Sequence, residues 1–305
     1  MSTDTSAGIF TGVSAFPLTP LRDEAIDEAA YVGLVERLVT AGADSITALG
    51  STGSYMYLDR EERRRVATAA VRNAGGVPVM VGIGALRTSQ VQRLAEDAQE
   101  AGASAVLLAP VSYQALTDDD VFGLFEDVTA GLSVPLVVYD NPGTTHVTFS
   151  DELYERIAAL PHVASIKIPG VPPVADAAAG RVRTIRERVP AGLSIGVSGD
   201  PVAAIGLGAG CDIWYSVVAG TLPQPALTIT RAALSGDQAA AVAESERLTP
   251  LWRLFREFGS IRVTAAIAEN LDLVAPTCLP RPLRGLDAEA RSRVAGVVVQ
   301  LGLAR

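Results

Sequence analysis

Of the 25 lysine and arginine residues in this 305-residue chain, a single one, at position 167, is lysine. Arginine stays protonated and cannot attack a carbonyl, whereas a lysine amine sheds its proton when buried and becomes a nucleophile. A chain that draws every other positive charge from arginine has no need of lysine for solubility, so the exception points to imine chemistry at Lys167. The run Val163-Ala164-Ser165-Ile166-Lys167-Ile168 reads as a buried strand with the amine near its carboxyl end, followed by Pro169-Gly170. Lowering a lysine from its ordinary pKa of about 10.4 to about 7.5 takes roughly 4 kcal/mol, which an apolar interior supplies by desolvation. The competing reading is a chance survivor whose stem snorkels to solvent.

Other groups fall at comparable places. Tyr139 ends an apolar run, Val137-Val138-Tyr139, ahead of Asp140-Asn141-Pro142-Gly143. If its strand neighbours that of Lys167, the phenol lies roughly 5–10 Å away, within reach for proton transfer through a bound substrate. Packing of the ring alone explains the position equally well. The loop Gly50-Ser51-Thr52-Gly53-Ser54 offers two glycines for close backbone approach and hydroxyls for an anion, although an ordinary turn has the same composition. Tyr113 follows another strand and Arg87 another loop, both equally readable as solvated surface. Asp200, in Ser198-Gly199-Asp200, is expected to cap the next helix.

The elements that must position these groups alternate along the chain. Short apolar runs at Gly8–Ala15, Ser45–Leu49, Val77–Ile83, Ala105–Ala109, Pro135–Tyr139, Val163–Ile168, Leu193–Val197 and Asp212–Val217 read as eight strands, separated by amphipathic segments. Gly42, Gly75-Gly76 and Gly102 fall where helices should stop, and Thr88-Ser89, Thr117-Asp118 and Ser150-Asp151 where they should start. The pattern predicts a (β/α)8 TIM barrel over residues 1–225. Beyond it, Ala226–Leu234, Gln238–Phe258, Ile261–Glu269 and Ala288–Leu301 predict a helical extension, residues 226–305, packed on the barrel to cover apolar surface or support oligomer contacts. A doubly wound open sheet would alternate in the same way, but no Gly-x-Gly-x-x-Gly follows the first strand.

Composition narrows the partners. Residues of the aliphatic, aromatic and cysteine set make up 49% and aromatics 5%, so the core is built from aliphatic side chains, as in buried parallel sheets. The formal charge of −9 disfavours a nucleic-acid surface. Two well-separated cysteines, Cys211 and Cys278, outside any CxxC unit, fit a reducing cytoplasm. No basic leader with an apolar core and no long apolar run is present, so no membrane partner is expected. With His146 and His162 as the only histidines, no metal and no cofactor is expected.

Taken together, these motifs resemble the dihydrodipicolinate synthase and N-acetylneuraminate lyase family over residues 8 to about 225. The likeness is carried by Gly50-Ser51-Thr52-Gly53, Tyr139-Asp140-Asn141-Pro142, Ile166-Lys167, Ser198-Gly199-Asp200 and Gly208-Ala209-Gly210 leading to Ser216. The resemblance implies a homotetrameric class I aldolase or lyase in which Lys167 forms an imine with pyruvate or a related 2-oxo acid, and an enamine then makes or breaks a bond to an aldehyde. It implies that Tyr139 shuttles protons, that Ser51 joins a hydroxyl relay completed by a neighbouring subunit's tyrosine, with Tyr113 the candidate, and that Thr52, between Gly50 and Gly53, helps hold the pyruvate carboxylate. Tyr215 would line the pyruvate pocket. Ser54 stands where the family usually has Glu, Asp140 where it has Asn, and Thr144 where the lysine-pathway synthase has an Arg for its second substrate. That synthase, a 2-oxo acid dehydratase, and a non-catalytic binder of 2-oxo acids are the alternatives on this scaffold. A phosphosugar enzyme is a further one, opposed by Asp200 and Asp212 near the usual phosphate site after strands seven and eight.

Overall fold

The strands form where aliphatic and β-branched residues run for four to six positions between turns, and they close on themselves. In the computed structural model, which describes residues 8–303, β1 (Gly12–Ala15), β2 (Ser45–Ala48), β3 (Val79–Gly82), β4 (Ala105–Leu108), β5 (Leu136–Tyr139), β6 (Val163–Ile168), β7 (Ser194–Val197) and β8 (Ile213–Ser216) form a closed parallel barrel. β1 pairs with both β8 and β2, so the sheet has no free edge. This is the expected eight-stranded barrel with added C-terminal helices.

Among the described residues seven helices of six or more residues follow β1 to β7 in turn: α1 (Glu28–Ala41), α2 (Arg60–Asn73), α3 (Thr88–Glu100), α4 (Asp118–Thr129), α5 (Asp151–Ala158), α6 (Ala175–Arg186) and α7 (Ala203–Gly208), with a single helical turn, Pro142–Thr145, between β5 and α5. After β8 come α8 (Pro223–Leu234), α9 (Gln238–Arg247), α10 (Thr249–Phe258), α11 (Ser260–Asn270) and α12 (Ala288–Gln300). Local chemistry sets their ends. Thr117 caps α4 and Ser150 caps α5 through their hydroxyls, and Gly42 stops α1 in the left-handed conformation that glycine adopts without a Cβ penalty. α3 starts at Thr88 itself, behind Arg87, whose backbone N–H donates to Gln90 Oε1.

Two apolar compartments result. The larger lies between sheet and helices. The smaller fills the barrel interior with Phe10, Phe16, Met80, Leu107, Val137, Tyr139, Ile213 and Tyr215, while interior hydroxyls satisfy one another, Ser14 with Thr47 and Ser165 with Tyr215, each at 2.7 Å. Several expectations need correction. β1 begins at Gly12 rather than Gly8, because residues 8–10 turn so that Phe10 plugs the interior and its carbonyl accepts from Ser194 Oγ. A two-stranded hairpin, Leu21–Arg22 with Ala25–Ile26, was not foreseen. The expected single helix 238–258 is two, α9 and α10, with Pro250 in the first turn of the second, where its missing N–H costs nothing. The boundary expected after residue 225 falls inside α8, which packs on β1. The chain beyond returns to the barrel: Ala265, Ala268, Val274, Cys278 and Leu279 bury against Leu18 and Leu34.

Candidate active site

Register puts the chemistry together. Tyr139 at the end of β5 lies directly beside Lys167 on β6, and Lys167 beside Gly196 on β7. Alternation along β6 turns Ser165 and Lys167 inward. Gly196 is required by space: a Cβ there would stand 2.2 Å from the ring of Tyr215, which β8 projects into the same interior. Lys167 is 4% exposed, and its Nζ lies 4.2 Å from the ring centroid of Tyr139, 5.4 Å from that of Phe16 and 5.9 Å from that of Tyr215. Burial among these rings pushes the amine down to about 7, against the opposing pull of Asp200 and Asp140. At neutral pH a large share of the amine is therefore the free base.

Above the amine opens a cavity of about 490 Å³ at the carboxyl end of the strands. Of the eight site positions expected from sequence, Lys167, Tyr139, Ser51, Thr52 and Tyr215 line it. Gly50 and Gly53 do not: Gly50 makes room for the ring of Phe16, 2.5 Å from where a Cβ would lie, and Gly53 packs on the Leu49 backbone. Tyr113 is 91% exposed on the loop after β4 and stands outside the cavity wall. The loop after β2 is held under strain, since Leu49 and Ser54 both adopt left-handed φ, 57° and 54°. Leu49 can do so because Gly82 faces its carbonyl, with a hypothetical Cβ only 1.9 Å away. The loop thereby turns Ser51 and Thr52 into the cavity, and the Thr52 hydroxyl has no protein hydrogen-bond partner among the described residues.

The polar connections are specific. Ser51 Oγ lies 3.3 Å from Tyr139 Oη, and Asn141 Nδ2 donates to Tyr139 Oη at 2.9 Å and to Ser51 Oγ at 3.3 Å. Burial pushes the Tyr139 phenol up to about 12, while the bonds from Ser51 and Asn141 pull it down. Asp200 does not cap a helix as expected. Its carboxylate accepts from the backbone N–H groups of Val217 and Val218, from Trp214 Nε1 and from Ser216 Oγ, and so ties the loop after β7 to that after β8. Asp140 is buried, with Tyr154 donating to Oδ2 at 2.5 Å and Oδ1 left without a partner among the described residues. Desolvation pushes both carboxyls up to about 6. Asp212, expected near the same rim, precedes β8 and belongs to the opposite end, where it meets Arg186 and the Ile195 N–H.

Sequence reasoning missed Asn141, Phe16 and the part played by the C-terminal helices. Phe255 and Arg256 of α10, with Ser260 and Ile261 of α11, form part of the cavity wall, and among the described residues Arg256 is its only cation besides Lys167. A period of two from Tyr139 would have found Asn141; nothing local marks Arg256. Arg87 does not reach the cavity, whereas Thr144 lines it with a neutral hydroxyl. Among the described residues no group of three or more His, Cys, Asp or Glu is placed to hold a metal ion, and no helix is long and apolar enough to cross a membrane.

Residues 9–301 match the model of the dihydrodipicolinate synthetase family. The chain belongs to this family. It is thus an enzyme of the class I, Schiff-base-forming lyase type on a TIM barrel. Among curated relatives, the 4-hydroxy-tetrahydrodipicolinate synthase of Phenylobacterium zucineum is 31% identical over 301 residues, covering 97% of this chain and 98% of the relative. That of Halorhodospira halophila is 32% identical over 310 residues, covering 98% and 99%. A crystal structure of dihydrodipicolinate synthase from Agrobacterium tumefaciens superposes with a TM-score of 0.93 at 46% identity, covering 97% of this chain and 99% of that one. At this site Thr144 and Asn141 line the cavity and the carboxylate of Asp140 is buried beside it.

Proposed function

We propose that Lys167 attacks the ketone of pyruvate or a related 2-oxo acid. The observation that carries this reading is the chain's sole lysine, buried at the floor of a cavity with its amine brought to about 7. Nζ adds to C2, the carbinolamine oxygen leaves as water with a proton from Tyr139, and the protonated imine becomes an electron sink. Loss of a C3 proton to the Tyr139 oxygen yields the enamine. Its C3 then bonds to the carbonyl carbon of an aldehyde, whose oxygen takes the proton back; cleavage runs the same steps in reverse.

Thr52, with a hydroxyl free of protein partners, holds the 2-oxo acid carboxylate, and Ser51 passes protons to and from Tyr139. Gly50 and Gly53 act through the path of the loop that presents those two hydroxyls. Tyr215 shapes the floor by packing and through its bond to Ser165. The aldehyde enters between Thr144, Asn141 and the C-terminal helices. Residues up to the end of α8 serve as the barrel, and those beyond complete its rim. The exposed side chains of Tyr113, Met56 and Leu86 support assembly as a homotetramer in which Tyr113 faces a neighbouring subunit. Two free, buried cysteines support residence in the cytoplasm.

Borohydride reduction in the presence of pyruvate, followed by peptide mapping, is expected to add a reduced pyruvyl group at Lys167 alone. Lys167→Arg, which keeps charge but not nucleophilicity, should take no adduct and lose turnover by at least 10⁴-fold, on the order of removing a covalent nucleophile. Retained turnover in that variant excludes the imine route, and the absence of adduct in the unaltered protein, under conditions that label a known aldolase, favours the non-catalytic binder.

A further inference from the structure

We propose that Asn141 is the positioning residue for the Tyr139 proton. This rests on the imine reading above, in which Tyr139 is the acid and base.

The backbone at Asn141 is fixed independently of its side chain. It leaves β5 at φ −140° and ψ 66°, and its carbonyl accepts from the N–H groups of Thr144 and Thr145, both at 2.9 Å, and from Thr145 Oγ1 at 3.0 Å. The short helical turn Pro142–Thr145 thus anchors the residue, and the amide is aimed back into the cavity.

There it meets two hydroxyls. Asn141 Nδ2, Tyr139 Oη and Ser51 Oγ form a triangle with sides of 2.9, 3.3 and 3.3 Å. Counting protons shows what this does. The amide nitrogen has two hydrogens and no acceptor capacity, so it fills two sides of the triangle as donor. One hydroxyl proton fills the third side. The other has no oxygen left within the triangle and must point outward.

When Ser51 donates to Tyr139, both phenol lone pairs are occupied by donors and the Tyr139 proton is the one directed into the cavity. The same two donors stabilise the phenolate left after that proton moves to the carbinolamine oxygen, and they oppose the effect of burial on its acidity. Ring packing alone would require neither the amide nor its orientation.

The test uses the full-length protein with pyruvate and an aldehyde that it turns over. Asn141→Ala should lower kcat roughly 10- to 100-fold, by analogy with the loss of one oriented donor, with the KM for pyruvate changing much less. Borohydride should still trap pyruvate on Lys167, which shows that the variant is folded and the imine reading intact. Asn141→Asp keeps the shape but turns the donor into an acceptor when ionised. It should lose more at pH 8 than Asn141→Ala does, and its deficit relative to the unaltered protein should shrink as pH falls towards 5 and the carboxyl regains a proton. Kinetics within threefold of the unaltered protein for both Asn141 variants would overturn the proposal, as would a deficit in Asn141→Asp that is flat with pH. A loss of pyruvate trapping in the unaltered protein would instead remove the imine reading, and this inference with it.

Discussion

The two ends of the barrel use aspartates in opposite ways, half-buried at the amino end and buried at the carboxyl end. At the amino end Asp44 accepts from the Val13 N–H and from Arg231, and Asp212 accepts from the Ile195 N–H and from Arg186, which also donates to the carbonyls of Leu193 and Gly210. Each carboxylate there stitches a strand to a helix and is matched by a guanidinium. At the carboxyl end Asp140 and Asp200 have no arginine within ion-pair distance among the described residues; at longer range Arg181 and then Lys167 stabilise the carboxylate of Asp140, and Lys167 that of Asp200. That end also holds the left-handed Leu49 and Ser54 and the unpartnered Asp140 Oδ1. One end spends its polar groups on stability, and the other keeps carboxylates without a paired arginine near the amine whose protonation the reaction depends on. The contrast matches the division of labour of this fold, with stability below and chemistry above.

The largest break in this comparison should come from the phenol. Tyr139→Phe keeps the ring beside Lys167 but removes the group that moves protons, and should lower kcat by about 10²- to 10⁴-fold. Thermal unfolding should shift little, because the hydroxyl's partners, Ser51 and Asn141, can reach water in the cavity. A comparable kcat in Tyr139→Phe would transfer the proton chemistry to another group.

Stability gives a second test, with opposite signs at the two ends. Asp212→Ala strands the Ile195 N–H and leaves Arg186 one acceptor short, and should cost about 1–3 kcal/mol while leaving pyruvate trapping intact. Lys167→Met removes a buried amine and should stabilise by about 1–3 kcal/mol at pH 7. The sign follows from linkage: the folded amine titrates near 7 and the unfolded one near 10.5, so between these values the unfolded chain binds more protons. The stability of the unaltered protein should therefore rise with pH through that window, and the advantage of Lys167→Met should be greatest below pH 7 and fade towards 10.5. Denaturant unfolding at several pH values checks both variants. Destabilisation by Lys167→Met at pH 7 would mean that contacts with the three rings outweigh the cost of burying the amine.

How far the sequence discloses all this depends on whether a feature is local. Eight strands were legible because each is an apolar run between turn residues, and Lys167 because its residue type occurs nowhere else. The break between α9 and α10 was legible in principle, since Pro250 cannot accept a place in a continuous helix interior. The role of Gly50 was misjudged because only the fold brings the ring of Phe16 against it, 34 residues away in sequence. Arg256 could not be found at all: α10 has an ordinary amphipathic pattern, and its last turn reaches the cavity only because the chain beyond α8 returns over the carboxyl end. Asp200 has the sequence appearance of a helix cap, and becomes a loop tie because β8 and the loop after it present four donors to it.

The smallest expected effect bears most directly on the comparison. If Asp140 serves the site through its charge, replacing it with Asn removes one of the two carboxylates that favour the ammonium form of Lys167. The amine should then titrate lower. Activity rises as Lys167 loses its proton near pH 7, so the acid limb of kcat/KM should move to lower pH, by less than one unit because Asp200 remains. Below about pH 6, where Asp140 is itself protonated in the unaltered protein, the two proteins should converge in the charge they present to the amine. The Asn carbonyl can still accept from Tyr154, so the packing of α5 against the strand end is retained. An acid limb that stays in place, or moves upward, would show that Asp140 is a structural partner of Tyr154 and that Asp200 alone sets the field at the amine.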